Sequence, residues 1–124
     1  MILDTNALSA YADEDPALFP VVESRRLFLP AIVLGEYLSG IAISRNRAKY
    51  QAWLELFIAD CTVLDITQET SRHYAILVLE LRKIGKPIPA NDLWIAALCR
   101  QHSLPLLSRD HHFDVVPALR RVIW

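Results

Sequence analysis

The chain has 124 residues, of which 53% are apolar and 22% are charged, and its formal net charge is −1. This length fits one domain with a single core, expected over residues 1–124, and the composition excludes a disordered chain. The longest apolar runs are too short to span a bilayer, and no signal peptide is visible at the start. Cys61 and Cys99 are expected to be reduced core residues, which makes the cytoplasm the default location.

The first half of the chain alternates short apolar runs, typical of buried strands, with longer segments of helical pattern. The predicted strands are 1–3 and 26–29, and the predicted helices are 7–12, 31–43 and 44–59. A short basic stretch opens the last of these helices, and its Arg45, Arg47 and Lys49 are the best candidates for contacts with phosphate groups.

The second half continues the alternation. Predicted strands cover 62–66, 104–107 and 121–124, and a helix begins after Thr67 and ends at Gly85. Asn91 is predicted to be the N-cap of a further helix. Because seven apolar residues follow one another over 93–99, this helix must be buried. Strands that alternate with helices predict an α/β fold of three layers, with helices on both faces of a mostly parallel central sheet.

Four carboxylates occupy places that such a fold brings to one edge of the sheet. Asp4 directly follows the first strand, Asp110 follows the strand 104–107, Asp92 lies in the first turn of the apolar helix, and Glu36 is the only charge of helix 31–43. Each also has a simpler interpretation. Asp4 is a suitable helix N-cap, Asp92 would stabilise a helix dipole by about 0.3–1 kcal/mol, and Glu36 could reach solvent or a cation.

The four acids together point to a metal site. Carboxylates in one crevice repel one another and raise one another's pKa, and a hard divalent cation removes this conflict. Oxygen ligands favour Mg²⁺ or Mn²⁺ over Zn²⁺. Such an ion polarises a phosphoryl oxygen and generates hydroxide from bound water, which suits the hydrolysis of phosphodiesters. Setting these four ligands aside turns the net charge of −1 into +3, which is compatible with a polyanionic substrate.

These residues carry a resemblance to a known family. The matching segments are Met1-Ile2-Leu3-Asp4-Thr5-Asn6, Glu36 in its apolar helix, Ile88-Pro89-Ala90-Asn91-Asp92 leading into Ile95-Ala96, and Leu107-Ser108-Arg109-Asp110 with Phe113. In order and spacing the chain resembles the PIN-domain family, and within it the VapC-type toxins of toxin–antitoxin pairs. The resemblance spans essentially the whole chain.

The resemblance implies an endoribonuclease that depends on Mg²⁺ or Mn²⁺, forms a homodimer and is held inactive by a VapB-like antitoxin. It implies that the catalytic and metal-binding residues are Asp4, Glu36, Asp92 and Asp110, with Asp110 the most variable of them. It also implies that Asn6 and Ser108 support the metal-bound water or the phosphate. The roles of His111, His112 and Asp114 stay open.

An antitoxin segment is expected to lie across the early helices, as the resemblance implies, and to be able to place a basic side chain in the acidic site. The crowded apolar residues Trp53, Leu54 and Phe57 are candidates for this groove.

Three other functions share part of this pattern. A haloacid-dehalogenase-like phosphatase also places an aspartate after its first strand, but it requires a second aspartate two residues later, where this chain has Asn6. A response-regulator receiver requires an acidic pair near the first strand, whereas Asp13 and Glu14 come too late. A catalytically silent PIN-like module that binds RNA or protein is the non-enzymatic alternative, and the presence of all four acids counts against it.

Overall fold

In the computed structural model, which describes all 124 residues, five short strands form one sheet in the order β3-β2-β1-β4-β5. The strands are β1 (Ile2–Leu3), β2 (Phe28–Pro30), β3 (Thr62–Leu64), β4 (Leu106–Leu107) and β5 (Arg121–Val122). Every pair of neighbouring strands is parallel, so the predicted parallel α/β architecture is confirmed. The strands β3, β4 and β5 are shorter than the predicted strands 62–66, 104–107 and 121–124, and β2 begins two residues after the predicted start at residue 26.

Six helices and one 3₁₀ helix connect the strands. They are α1 (Thr5–Ala12), α2 (Phe19–Val22), α3 (Ala31–Ala42), α4 (Arg47–Asp60), α5 (Gln68–Lys83), α6 (Ala90–His102) and the 3₁₀ helix His111–Val115. The five longer helices match the predicted ones within a few residues. The short α2 and the 3₁₀ helix were not predicted, because segments of four or five residues show no helical periodicity. None of the helices combines the length and the apolar character needed to cross a membrane.

The central strands and the middle of α6 are apolar on all sides because they lie inside the hydrophobic core. Ile2 and Leu3 of β1 and both leucines of β4 are fully buried, as expected for parallel strands covered on both faces. In α6, Ile95–Leu98 are also fully buried, which confirms the predicted buried helix. Cys99 is buried and both cysteines are free. Burial raises the pKa of the Cys99 thiol to about 12, so it behaves as a small core residue.

The start of α6 differs from the prediction. Asn91 was expected to be the N-cap, but Pro89 holds that position with an extended backbone and no capping side chain. Proline has a fixed φ and no N–H, so it starts a helix readily. Asn91 therefore lies inside the first turn, where its amide is available for contacts with other elements.

The small residues of α3 do not mediate packing within the chain. Gly35 and Gly40 are exposed, and a Cβ atom added at either would meet no atom within 4 Å. No other backbone of this chain approaches this side of α3 closely. The residues of α3 that pack into the core are Val33, Tyr37 and Ile41.

An ion pair fixes the segment that follows β4. Arg121 of β5 donates from Nε and one terminal nitrogen to the two carboxylate oxygens of Asp114, at 2.6 and 2.9 Å. Its other terminal nitrogen donates to the carbonyl of Ser108 at 3.0 Å. Hydrogen bonds from Arg121 and then from His111 lower the pKa of Asp114 to about 2. Arg121 thus ties the 3₁₀ helix and the end of β4 to β5.

The pKa of Asp114 gives a testable pH dependence. A carboxyl group whose pKa falls on folding stabilises the fold above its ordinary pKa of 3.8, and this contribution is lost as the pH falls through about 2. The difference in unfolding free energy between the wild type and Asp114→Asn should therefore be constant above about pH 5 and decrease steadily as the pH is lowered through about 2. Urea unfolding across this range measures it, and a pH-independent difference would contradict the role of the ion pair.

Candidate metal centre

The four predicted acids gather at the carboxyl edge of the sheet. Asp4 follows β1, and Asp110 follows β4, which is the neighbour of β1. Glu36 lies in α3, which begins where β2 ends, and Asp92 lies in the first turn of α6. The charges act on one another, since Glu36 and Asp110 raise the pKa of Asp4, and Asp110 and Asp4 raise that of Asp92. This edge is where open α/β sheets bind ligands.

Asp4 is the most buried of the four, with 5% of its surface exposed. Its Oδ1 accepts a hydrogen bond from the backbone N–H of Thr5 at 2.8 Å, so it also caps α1. Its Oδ2 accepts from Ser108 Oγ at 2.6 Å and from Asn6 Nδ2 at 2.7 Å. Burial raises the pKa of Asp4, and the hydrogen bonds from Ser108 and Thr5 oppose this rise. Asp4 can therefore cap α1 and belong to the candidate metal site at the same time.

Ser108 and Asn6 hold the two central strands together around Asp4. The fully buried Ser108 hydroxyl donates to Asp4 and accepts from the backbone N–H of Asp110 at 2.9 Å. The Asn6 side chain donates to Asp4 and accepts from the backbone N–H of Arg109 at 3.1 Å. Both side chains therefore lie beside the acids, as predicted, and each links α1 or β1 to the segment after β4.

Glu36 is oriented by two residues that the sequence did not identify as part of the site. Asn91 Nδ2 donates to Glu36 Oε1 at 2.8 Å, and the Thr5 hydroxyl donates to Glu36 Oε2. The carboxylate of α3 is thus tied to α1 and to α6. No local pattern points to these contacts, because Thr5 and Asn91 lie at the starts of α1 and α6, where residues of these types are common as caps.

A histidine joins Asp92 and Asp110. His112 Nδ1 lies 3.0 Å from Asp92 Oδ2 and 3.4 Å from Asp110 Oδ1. The ligand atoms of these three residues all lie within 4.8 Å of one another. Burial raises the pKa of Asp92, and the hydrogen bond with His112 opposes this rise. The His111 ring lies elsewhere, with Nδ1 2.9 Å from Asp114 Oδ2, so the two neighbouring histidines have different surroundings.

The chemistry of this cluster fits a divalent cation. The arginine ion pairs of the chain join Arg100 to Glu80, Arg109 to Asp15 and Arg121 to Asp114. No lysine or arginine nitrogen lies within 4.0 Å of a carboxylate oxygen of the four acids, and His112 is the basic side chain that contacts them directly. Carboxylates at one edge of the sheet without an ion pair to lysine or arginine form a donor set suited to Mg²⁺ or Mn²⁺.

Comparisons with known proteins agree with this geometry. Residues 1–119 match the family model of the PIN domain. Ribonuclease VapC5 of Mycobacterium tuberculosis is 31% identical over 118 residues, which cover 90% of this chain and 84% of that protein. Among solved structures, Rickettsia felis VapBC2 bound to a promoter DNA fragment superposes with a TM-score of 0.89 at 23% identity, covering 99% of this chain and 97% of that one.

A second solved structure is closer in sequence. VapBC-5 of Mycobacterium tuberculosis, a member of the VapBC family of toxin–antitoxin systems, has a TM-score of 0.74 at 30% identity and covers 98% of this chain and 94% of that one. The family match spans nearly all of the sequence, and the fold superposes on those of the two solved structures over almost the whole chain. The chain therefore belongs to the PIN-domain family.

Proposed function

We propose that the chain is an endoribonuclease toxin that requires a divalent metal ion, Mg²⁺ or Mn²⁺, and that a cognate antitoxin inhibits it. The observation that carries the proposal is the placement of Asp4, Glu36, Asp92 and Asp110 at one edge of the sheet, where the ligand atoms of Asp92, Asp110 and His112 lie within 4.8 Å of one another. The relative at 31% identity is a ribonuclease, which supports RNA as the substrate class.

The four carboxylates would hold the ion, which when bound polarises a phosphoryl oxygen and supplies hydroxide from water at neutral pH. The chain's own groups keep these ligands in place. Thr5 and Asn91 orient Glu36, and Ser108 and Asn6 orient Asp4. Since outer hydrogen-bond partners fix the direction of ligand oxygens, these four polar side chains pre-organise the site. The exposed Arg45, Arg47 and Lys49 are candidates for contacts with RNA phosphates.

The alternatives are less well supported. A phosphatase of the haloacid-dehalogenase type needs an acid at the position of Asn6, whose amide instead donates to Asp4 and accepts from Arg109. A silent binding module has no need for four carboxylates at one edge of the sheet, because buried carboxylates are costly unless they are paired or bind a metal.

An apolar groove suits an antitoxin segment. Tyr11, Trp53 and Phe57 form an aromatic cluster in which the Trp53 and Phe57 rings stack at 5.1 Å and the Tyr11 ring lies 5.2 Å from Phe57. They line a groove of about 350 Å³, whose wall includes Leu56, with 73% of its surface exposed. Arg25, Arg26 and Asp60 border the groove, so its edge carries charges of both signs, and a helix with an apolar face is the complementary partner. The solved toxin–antitoxin complex at 30% identity supports a protein inhibitor, and a homodimer stays an expectation.

The nuclease activity is tested with purified protein that is free of antitoxin, using total cellular RNA in Mg²⁺, Mn²⁺ or EDTA. We expect cleavage only with metal, and a loss of more than about 100-fold in Asp92→Asn, since even indirect partners of a metal typically contribute 10–100-fold. Asp60→Asn is the matched control, because this exposed acid precedes β3 at the opposite end of the sheet. Cleavage that persists in EDTA and in Asp92→Asn would reject the proposed site.

The groove is tested by coexpression with the antitoxin encoded beside the gene. Leu56→Asp should weaken antitoxin binding at least about tenfold, because a charge would be buried against the partner. Trp53→Ala with Phe57→Ala should do the same through lost aromatic anchors. Ile43→Asp, at a residue with 92% exposure on another surface, is the control. Isothermal titration measures affinity and circular dichroism checks the fold. Unchanged binding in the groove variants would place the antitoxin elsewhere.

A further inference from the structure

We propose that His112 is a direct nitrogen ligand of the divalent ion and that it makes the site prefer Mn²⁺ to Mg²⁺. This inference rests on the proposed metal-dependent function. It adds a fifth side chain to the four carboxylates and assigns a role to one of two adjacent histidines. It concerns which ion the site selects, which the acids alone leave open between two hard cations.

The distances match those between neighbouring ligands of one ion. His112 Nδ1 lies 3.0 Å from Asp92 Oδ2 and 3.4 Å from Asp110 Oδ1. Adjacent ligand atoms of an octahedral ion with bonds of about 2.1 Å lie about 3.0 Å apart. A cation that replaces the proton shared between the imidazole and the carboxylates would therefore need little movement of the three side chains.

The backbone around His112 holds the ring in this place. Asp110 Oδ1 accepts a hydrogen bond from the backbone N–H of His112 at 2.8 Å, which caps the 3₁₀ helix. The next residue, Phe113, is fully buried and anchors this helix to the core. The ring itself is about half exposed, so an ion from solvent can reach Nδ1. The backbone is therefore anchored, the ligand atoms lie close together, and an ion has access from solvent. These features pre-organise His112 as a metal ligand.

A nitrogen donor changes ion selection. Mg²⁺ is a hard cation that takes oxygen ligands and keeps several waters. First-row transition ions accept imidazole as well as carboxylate, with Mn²⁺ the weakest binder of that series. Replacing one oxygen by the His112 nitrogen therefore raises affinity for Mn²⁺ relative to Mg²⁺. The imidazole would bind as the neutral tautomer that carries its proton on Nε2 and offers the Nδ1 lone pair.

His111 provides a matched control within the same helix. Its Nδ1 contacts Asp114 and one Arg121 nitrogen, at 2.9 and 3.2 Å, and it forms no hydrogen bond or ion pair with the four acids. Substituting alanine at either position removes one imidazole from adjacent residues of the same short helix. A difference between the two variants reports on the metal and not on the loss of a histidine in general.

The test uses the full-length protein and Mn²⁺ alone. Pulsed electron paramagnetic resonance of bound Mn²⁺ detects coupling to an imidazole nitrogen, and we expect this coupling in the wild type and in His111→Ala but not in His112→Ala. Isothermal titration calorimetry should show that His112→Ala weakens Mn²⁺ binding about tenfold or more, while Mg²⁺ binding changes much less.

Two outcomes would contradict the proposals, and the experiment distinguishes them. If the wild type binds Mn²⁺ without nitrogen coupling, or if the coupling survives in His112→Ala, then His112 only hydrogen-bonds to the acids, and the inference fails while the proposed nuclease stands. If the wild type binds neither Mn²⁺ nor Mg²⁺, the proposed metal-dependent function fails with it. The wild-type spectrum decides whether any imidazole nitrogen binds the ion, and circular dichroism of His112→Ala and His111→Ala checks that each variant used to assign it is folded.

Discussion

The hydrogen bonds that Asp4 accepts are the contacts on which the rest of the site depends. This carboxylate is buried at the end of the central strand, and burial raises its pKa. It is kept there by donors from α1, through Thr5 and Asn6, and from the segment after β4, through Ser108. The same contacts cap a helix, join two strands and set the direction of a candidate metal ligand. A buried carboxylate is costly unless its oxygens are satisfied, so the fold and the site are stabilised by the same bonds.

Around this centre, each remaining acid is supported by a neighbour from another element. Glu36 of α3 receives donors from α1 and α6, and Asp92 and Asp110 share the imidazole of His112. The Arg121–Asp114 ion pair lies just outside and holds the segment that carries Ser108 and Asp110. The acids are thus placed by cross-links between elements, and the neutral and basic partners, not the acids, define the geometry of the site.

The parallel fold and the four acids were predictable because they follow from local patterns. Apolar runs mark strands, a carboxylate directly after a strand marks the functional edge of the sheet, and the apolar run of α6 marks a buried helix. The partners Thr5, Asn91 and His112 were not predictable as such. Their contacts span 31, 55 and 20 residues, and each residue has an ordinary local role as a cap or a surface side chain. Asn91 illustrates the limit of prediction from local patterns. Its residue type is typical of an N-cap, but in the structure its side chain contacts Glu36 in the candidate site. The short α2 was missed for a different reason, because a single turn has no period to detect.

The sheet order has a consequence for how the protein becomes active. Asp4 and Ser108 are 104 residues apart, and β1 can pair with β4 only once the chain between them has been synthesised. Contacts of such long sequence separation form late, because the entropy of closing the loop must be overcome first. A partly folded chain therefore has its first aspartate without the serine that orients it. Catalytic activity should arise in the same cooperative step that completes the sheet. Folding intermediates and truncated chains should therefore not cleave RNA.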